Sequence, residues 1–149
     1  FYSMATRAVA SAVFDLPIDV VWANIRDFTF NAKYISTIES ATILDNRSAD
    51  AVGAIRESKW STGETQQHRL IELSDQNYRL AYELVAAEPA AENIATITTI
   101  SLHRVTETNA TLVQWSADFS ADISPAAVTF NYTSFMENLK EIRTNMSKQ

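Results

Sequence analysis

The feature that most constrains this sequence is a series of strand-like segments joined by very short connections and closed by one long helical segment. Strand patterns run over about residues 39–45, 52–60, 65–73, 77–86, 92–105 and 110–120. Turn-like clusters separate them, such as Asn46-Arg47-Ser48-Ala49-Asp50, Ser74-Asp75-Gln76-Asn77 and Thr106-Glu107-Thr108-Asn109. Parallel strands need crossovers of about a dozen residues or more, so connections this short predict antiparallel hairpins. The closing helix has its own start signal: Ser124 as cap and Pro125 at the first helical position. Val128, Phe135, Leu139, Ile142 and Met146 then form an apolar stripe at helical spacing.

Ahead of these segments, Thr6 to Phe14 alternates and predicts a first strand. Pro17 suits the first turn of a helix, and Ile18, Val21, Trp22 and Ile25 follow at i, i+3, i+4 and i+7. A second short helix is expected through Ala32 to Ile38. The order is strand, two short helices, six strands and one long helix. It predicts an α+β fold, a curved six- to seven-stranded antiparallel sheet around a long C-terminal helix. A bent sheet closed by a single helix does not readily fill its own concavity, so an internal pocket is expected.

Length and composition narrow the function classes. A chain of 149 residues suits one domain with a real core. Phe1-Tyr2-Ser3 ahead of Met4 are set apart as extraneous, leaving a single domain over 4–149. Cysteine is absent, which excludes disulfides, thiol catalysis and thiolate zinc sites. With only His68 and His103, no His-rich metal site is possible; carboxylates could hold calcium or magnesium weakly, and neither a resident metal nor a cofactor is expected. A net charge of −6 opposes binding to nucleic acid and to anionic membranes. No apolar run of about 18 residues occurs, so no membrane span is expected. No signal-peptide pattern occurs, so the expected location is cytoplasmic, and the sequons at Asn46, Asn109 and Asn131 are read as chance.

Three blocks carry a family resemblance. The first is Val21-Trp22, Ile25-Arg26-Asp27-Phe28, Tyr34 and Ile38-Glu39-Ser40. The second is Val52-Gly53-Ala54-Ile55-Arg56-Glu57, a V-G-x-x-R-E pattern. The third is His68-Arg69-Leu70, Leu73-Ser74-Asp75, Leu80-Ala81-Tyr82 and Glu92-Asn93. In order and spacing they resemble the Bet v 1-like (START/SRPBCC, helix-grip) superfamily over about residues 8–145. Within it they resemble the polyketide cyclase/dehydratase-like and abscisic-acid-receptor-like branch. The resemblance implies a ligand-binding helix-grip fold. It does not extend to hormone reception. Trp60-Ser61-Thr62-Gly63-Glu64-Thr65 lacks the receptors' S-G-L-P-A gate, and Pro89-Ala90-Ala91 stands in place of their H-R-L latch. Glu39 falls where they carry the lysine that pairs with the hormone, and a carboxylate there repels another.

Strand alternation and the resemblance together nominate the pocket. Val113, Trp115, Ala117 and Phe119 share one strand face, as do Leu80, Tyr82 and Leu84. Ile94, Thr96 and Thr98 are expected on the inward face of their strand, with a bulge conceivable at Ile97. Arg56, Ser58 and Trp60 share a face that the resemblance turns inward; a buried arginine needs a partner, and Glu39 and Glu83 are candidates. The resemblance also places His68 where relatives hold a pocket-lining glutamate, and Leu70 is nominated beside it. On the final helix it aims Phe130, Ser134 and Asn138 at the cavity, whereas periodicity centres the buried face on Phe135, Ile142 and Met146.

These residues are expected to bind a small hydrophobic molecule, such as a lipid, sterol-like compound, polyketide or aromatic metabolite. Two alternatives stand beside that reading. One is a polyketide cyclase/dehydratase-like enzyme with His68 as base and Arg56 as oxyanion partner. The other is a protein-interaction module with a filled core, although no motif points to a protein partner. The sequence holds no nucleophile motif, so no catalytic residue is assigned.

Overall fold

In the computed structural model, which describes residues 6–148, the alternation in Arg7–Phe14 forms β1. Phe1, Tyr2 and Ser3 lie outside the described residues. The chain continues through α1 (Ile18–Ile25), α2 (Phe30–Tyr34), β2 (Ile38–Ile43) and a 3-10 turn at Leu44–Asn46. It then forms β3 (Ile55–Trp60), β4 (Thr65–Ser74), β5 (Arg79–Glu88), β6 (Thr96–Val105), β7 (Ala110–Phe119) and α3 (Pro125–Met146). The seven strands form one antiparallel sheet in the order β1-β7-β6-β5-β4-β3-β2. The expected helix-grip arrangement is present, with α3 packed on the sheet.

Several boundaries differ from the sequence reading, three of them for a clear local reason. The strand predicted from residue 52 begins at Ile55, because Gly53 turns with φ +96° and its N–H donates to the Leu70 carbonyl at 2.7 Å. The strand predicted from 92 begins at Thr96. Before it, the Ile94 N–H donates to the Asp122 carboxylate and the Ala95 N–H to the Ser120 hydroxyl, which holds these residues in a loop. The second helix spans 30–34 rather than 32–38. Asp27 folds the chain early: its carboxylate accepts from Thr29 N–H at 2.9 Å and its carbonyl from Phe30 N–H. Pro17 sits one position outside α1, its carbonyl accepting the first helical bonds from Val20 and Val21.

The interior faces of the strands explain the placement of α3. On β1, Ala8 and Ala10 are buried and Ala12 packs beside them, so this strand offers a shallow surface. The helix approaches β1 more closely than any other strand. Its Phe135, Leu139, Ile142 and Met146 fill the space above, and Phe135 stacks on Trp115 of β7 at 5.1 Å between ring centroids. Ser124 caps α3, its hydroxyl accepting from Ala127 N–H at 3.1 Å. Near the other end, Glu141 accepts from Ser36 N–H and Asn145 donates to the Tyr34 carbonyl, tying α3 to the chain that leaves α2.

Irregularities in the sheet shape the region around the site. Register shifts occur at Ile38/Ser40, Gln67/His68 and Leu70/Glu72, not at Ile97. Ile97 simply points outward between Thr96 and Thr98. The β5–β6 ladder runs only from Arg79/Ser101 to Glu83/Ile97. Beyond it, the rest of β5 pairs with β4 and the start of β6 with β7, so the sheet splits. Leu84 and Thr96 line the split and are half-buried.

Candidate functional site: a buried polar layer under the helix

Most of the concave face is apolar, and its polar groups gather in one layer. Arg56 on β3 and His68 on β4 are directly paired across the strands. Tyr82 on β5 stands beside them, its ring 5.0 Å from that of His68 in an edge contact. The Arg56 guanidinium lies between two aromatic faces, 4.3 Å from the Phe28 centroid and 4.8 Å from that of Tyr82. Its Nη1 donates to the Phe28 carbonyl at 3.0 Å. From α2, Asn31 donates through Nδ2 to the Ser58 hydroxyl at 2.9 Å. Trp115 joins the layer between Phe30 and Phe135.

Four atoms in this layer make no well-formed hydrogen bond among the described residues: Asn31 Oδ1, Arg56 Nε, His68 Nδ1 and Trp115 Nε1. Their residues are 4%, 3%, 9% and 5% exposed, so water does not reach them freely from the surface. A native interior rarely leaves such groups unmade, since each costs about 1–3 kcal/mol.

The electrostatics follow from burial. Desolvation, and then the neighbouring Arg56 cation, hold the His68 imidazole well below its ordinary 6.5, so it is neutral at physiological pH. One of its ring nitrogens therefore donates and the other accepts. Burial raises the Tyr82 phenol above its usual value, against smaller opposing effects of Arg56 and Trp115, so Tyr82 stays protonated. Burial also lowers Arg56, with Tyr82 acting in the opposite sense.

Among the described residues, no carboxylate balances Arg56. The ion pairs among the described residues are Arg7–Asp118, Arg26–Asp50, Arg26–Asp75, Arg69–Glu83 and Arg79–Glu72, all on the surface. Neither expected partner serves. Glu39 is the extra residue at the β2 bulge and is exposed. Glu83 points to the outer face, where it meets Arg69 at 3.6 Å.

The other nominated residues divide by depth. Ser58, Leu70, Tyr82, Val113 and Trp115 are buried on the concave side. Trp60, Leu84, Thr96, Ser134 and Asn138 are half-buried towards the rim. Two nominees lie at the surface: Ile94 is 89% exposed because it sits in the loop before β6, and Phe130 is 71% exposed on the outer half of α3. Periodicity rather than resemblance describes the buried face of the helix. Asn31 and Phe28 were not nominated. Phe28 lies in the turn between α1 and α2 and Asn31 in the short α2, so no periodic pattern in the sequence marks either as buried.

Two concavities of the surface lie elsewhere. One, of about 410 Å³, is lined by Ile18, Gln76, Asn77, Tyr78, Leu102, His103 and Arg104. The other, of about 450 Å³, runs between β1 and α3 along Arg7, Ala8, Val9, Val128, Thr129 and Tyr132. Neither includes a nominated residue. Among the described residues, no group of three or more His, Asp or Glu could hold a metal ion, and no helix is long and apolar enough to cross a membrane.

Comparison with known proteins agrees with this architecture. A Nitrosospira multiformis protein, solved as a structural genomics target, superposes with a TM-score of 0.83 at 25% identity, covering 96% of this chain and 99% of that one. An uncharacterised Bacillus thuringiensis protein gives 0.81 at 22% identity, covering 94% and 98%. A solution structure from Thermobifida fusca gives 0.77 at 20% identity, covering 97% and 95%. A search of curated proteins finds no match. The profile of the family described as "Polyketide cyclase / dehydrase and lipid transport" matches residues 5–142. With nearly the whole chain inside that match and the helix-grip fold shared with these structures, the chain belongs to the polyketide cyclase/dehydrase and lipid transport family.

Proposed function

We propose that this protein binds a small, mostly apolar molecule between the sheet and α3, of the lipid, sterol-like, polyketide or aromatic-metabolite kind. The observation that carries this reading is the polar layer: four unpartnered atoms on side chains at least nine-tenths buried, set in an apolar face. Small-molecule sites combine apolar walls with a few placed polar groups, and a ligand supplies the partners this layer lacks. The half-buried Leu84 beside the split between β5 and β6 is the cross-strand partner of His68, so the split adjoins the layer. The family description, which names both cyclisation chemistry and lipid transport, agrees with a hydrophobic ligand.

Native mass spectrometry of protein purified from a cell extract, beside a denatured control, tests the reading. A co-purified small molecule released on denaturation supports it. If no adduct appears and an apolar fluorescent probe also fails to bind, the reading is wrong and a filled-core interaction module takes its place.

The pairing of His68 with Arg56 favours one second reading, a cyclase or dehydratase with His68 as base and Arg56 beside the developing oxyanion. Its weakness is the depressed basicity of His68, which lowers the driving force for taking a proton. Turnover of a polyketide-like substrate that His68→Gln abolishes, with binding retained, would establish it.

A further inference from the structure

We infer that the interior site selects an organic anion, whose carboxylate or equivalent oxyanion is the missing counter-ion of Arg56. This rests on the interior-binding reading above and specifies the ligand's chemistry. An arginine does not shed its proton at physiological pH, so the 3%-exposed Arg56 brings a full positive charge into the core. Its neighbours soften that charge without neutralising it: one carbonyl at 3.0 Å, the phenol of Tyr82, and two aromatic faces at 4.3 and 4.8 Å. Such buried cations are normally paired, because the desolvation penalty is several kcal/mol per ion. Here every ion pair among the described residues lies elsewhere, and the adjacent titratable groups, His68 and Tyr82, carry no negative charge.

The unmade bonds point the same way. Arg56 Nε and Trp115 Nε1 are donors without a well-formed hydrogen bond among the described residues, with the Tyr82 phenol beside both, and both suit an oxyanion. His68 supplies a third donor from Nδ1 in one tautomer. Asn31 Oδ1 is the one group that only accepts, and it suits a hydroxyl on the same ligand. A neutral lipid or alcohol would leave the guanidinium charge unbalanced and be bound less well.

Calorimetric titration of the full chain with matched acids and alcohols tests this. The pairs are octanoate and octanol, decanoate and decanol, and 2-naphthoate and 2-naphthylmethanol, which separate fatty from aromatic acids. At least one carboxylate should bind about tenfold tighter than its alcohol, as a charge-assisted bond predicts. Arg56→Met should erase that preference while the alcohol's affinity persists. If Arg56→Met does not fold, Arg56→Gln, neutral but still able to donate to the Phe28 carbonyl, replaces it. The side-chain ¹⁵N shifts of His68 should move on binding, which locates the ligand in the layer. Equal affinities for acid and alcohol, with His68 still moving, overturn the anion inference and leave the interior-binding reading intact. A carboxylate preference that survives in the neutral variants overturns the role of Arg56. Absence of binding by both series overturns the interior-binding reading as well.

Discussion

Replacing Arg56 by methionine separates two reasons for a cation to lie in a core. Breaking a buried ion pair costs about 3–5 kcal/mol, largely because an uncompensated charge remains. Among the described residues Arg56 has no such partner, so its removal leaves the Phe28 carbonyl unbonded and takes the cation from beside the Tyr82 phenol. The lost hydrogen bond to a charged donor amounts to about 1.5–3 kcal/mol. The two ring contacts, at 4.3 and 4.8 Å, add up to about 2 kcal/mol each in a desolvated setting. Against these stands relief of the several kcal/mol of desolvation that the guanidinium incurs. Methionine keeps the apolar stem and places a sulfur against the same rings. The opposing effects nearly cancel, so the expected change in stability is within about 1.5 kcal/mol of zero. Urea unfolding near neutral pH, followed by tryptophan fluorescence, measures it from the midpoint shift at constant slope. A loss above about 3 kcal/mol at unchanged slope would refute the reasoning, because Arg56 would then be buried for the fold rather than for a ligand.

Three further outcomes follow from the same structure. His68 binds its proton more weakly in the native chain, so below pH 6.5 the unfolded chain holds the extra proton and stability falls as the pH is lowered. The loss is up to about 1.4 kcal/mol per unit until the native imidazole titrates, and it is absent above 6.5; denaturation series should show this slope flattened in His68→Gln. The lowered carboxylates of Asp50, Asp75 and Asp122 lose their contributions only at more acidic pH, below their ordinary 3.8. Ser124→Ala should cost about 1 kcal/mol and speed amide exchange in the first turn of α3; unchanged exchange would contradict the cap. Ala10→Leu should cost about 1–3 kcal/mol by lifting α3 from β1, while Val9→Leu on the outer face changes stability by about 0.5 kcal/mol or less; equal effects would refute the close approach.

What could be read from the sequence was the local and the periodic. Period-2 patterns with short turns dictated antiparallel hairpins, because few residues can reverse a chain but not cross a sheet. Ser124, Pro125 and the stripe from Val128 to Met146 gave the closing helix its start and its buried face, since caps and amphipathic spacing act within a few turns. The inward set of β7 followed from alternation alone. The blocks quoted from the first 93 residues were enough to suggest the family.

Tertiary structure decided the rest. A bulge at Glu39 and a loop around Ile94 removed two nominated residues from the interior, and both arise from pairing between distant segments. The partner of Arg56 was also a tertiary matter. Sequence could say that a buried arginine needs compensation, but only the register that sets Glu83 on the outer face beside Arg69 leaves the guanidinium to aromatic rings and a carbonyl. Asn31, 27 residues from Ser58 along the chain, joins the layer because α2, packed beside β2, brings it within reach of β3. Alternation dictates which side of a strand a residue takes; which charges meet there depends on how the strands come together.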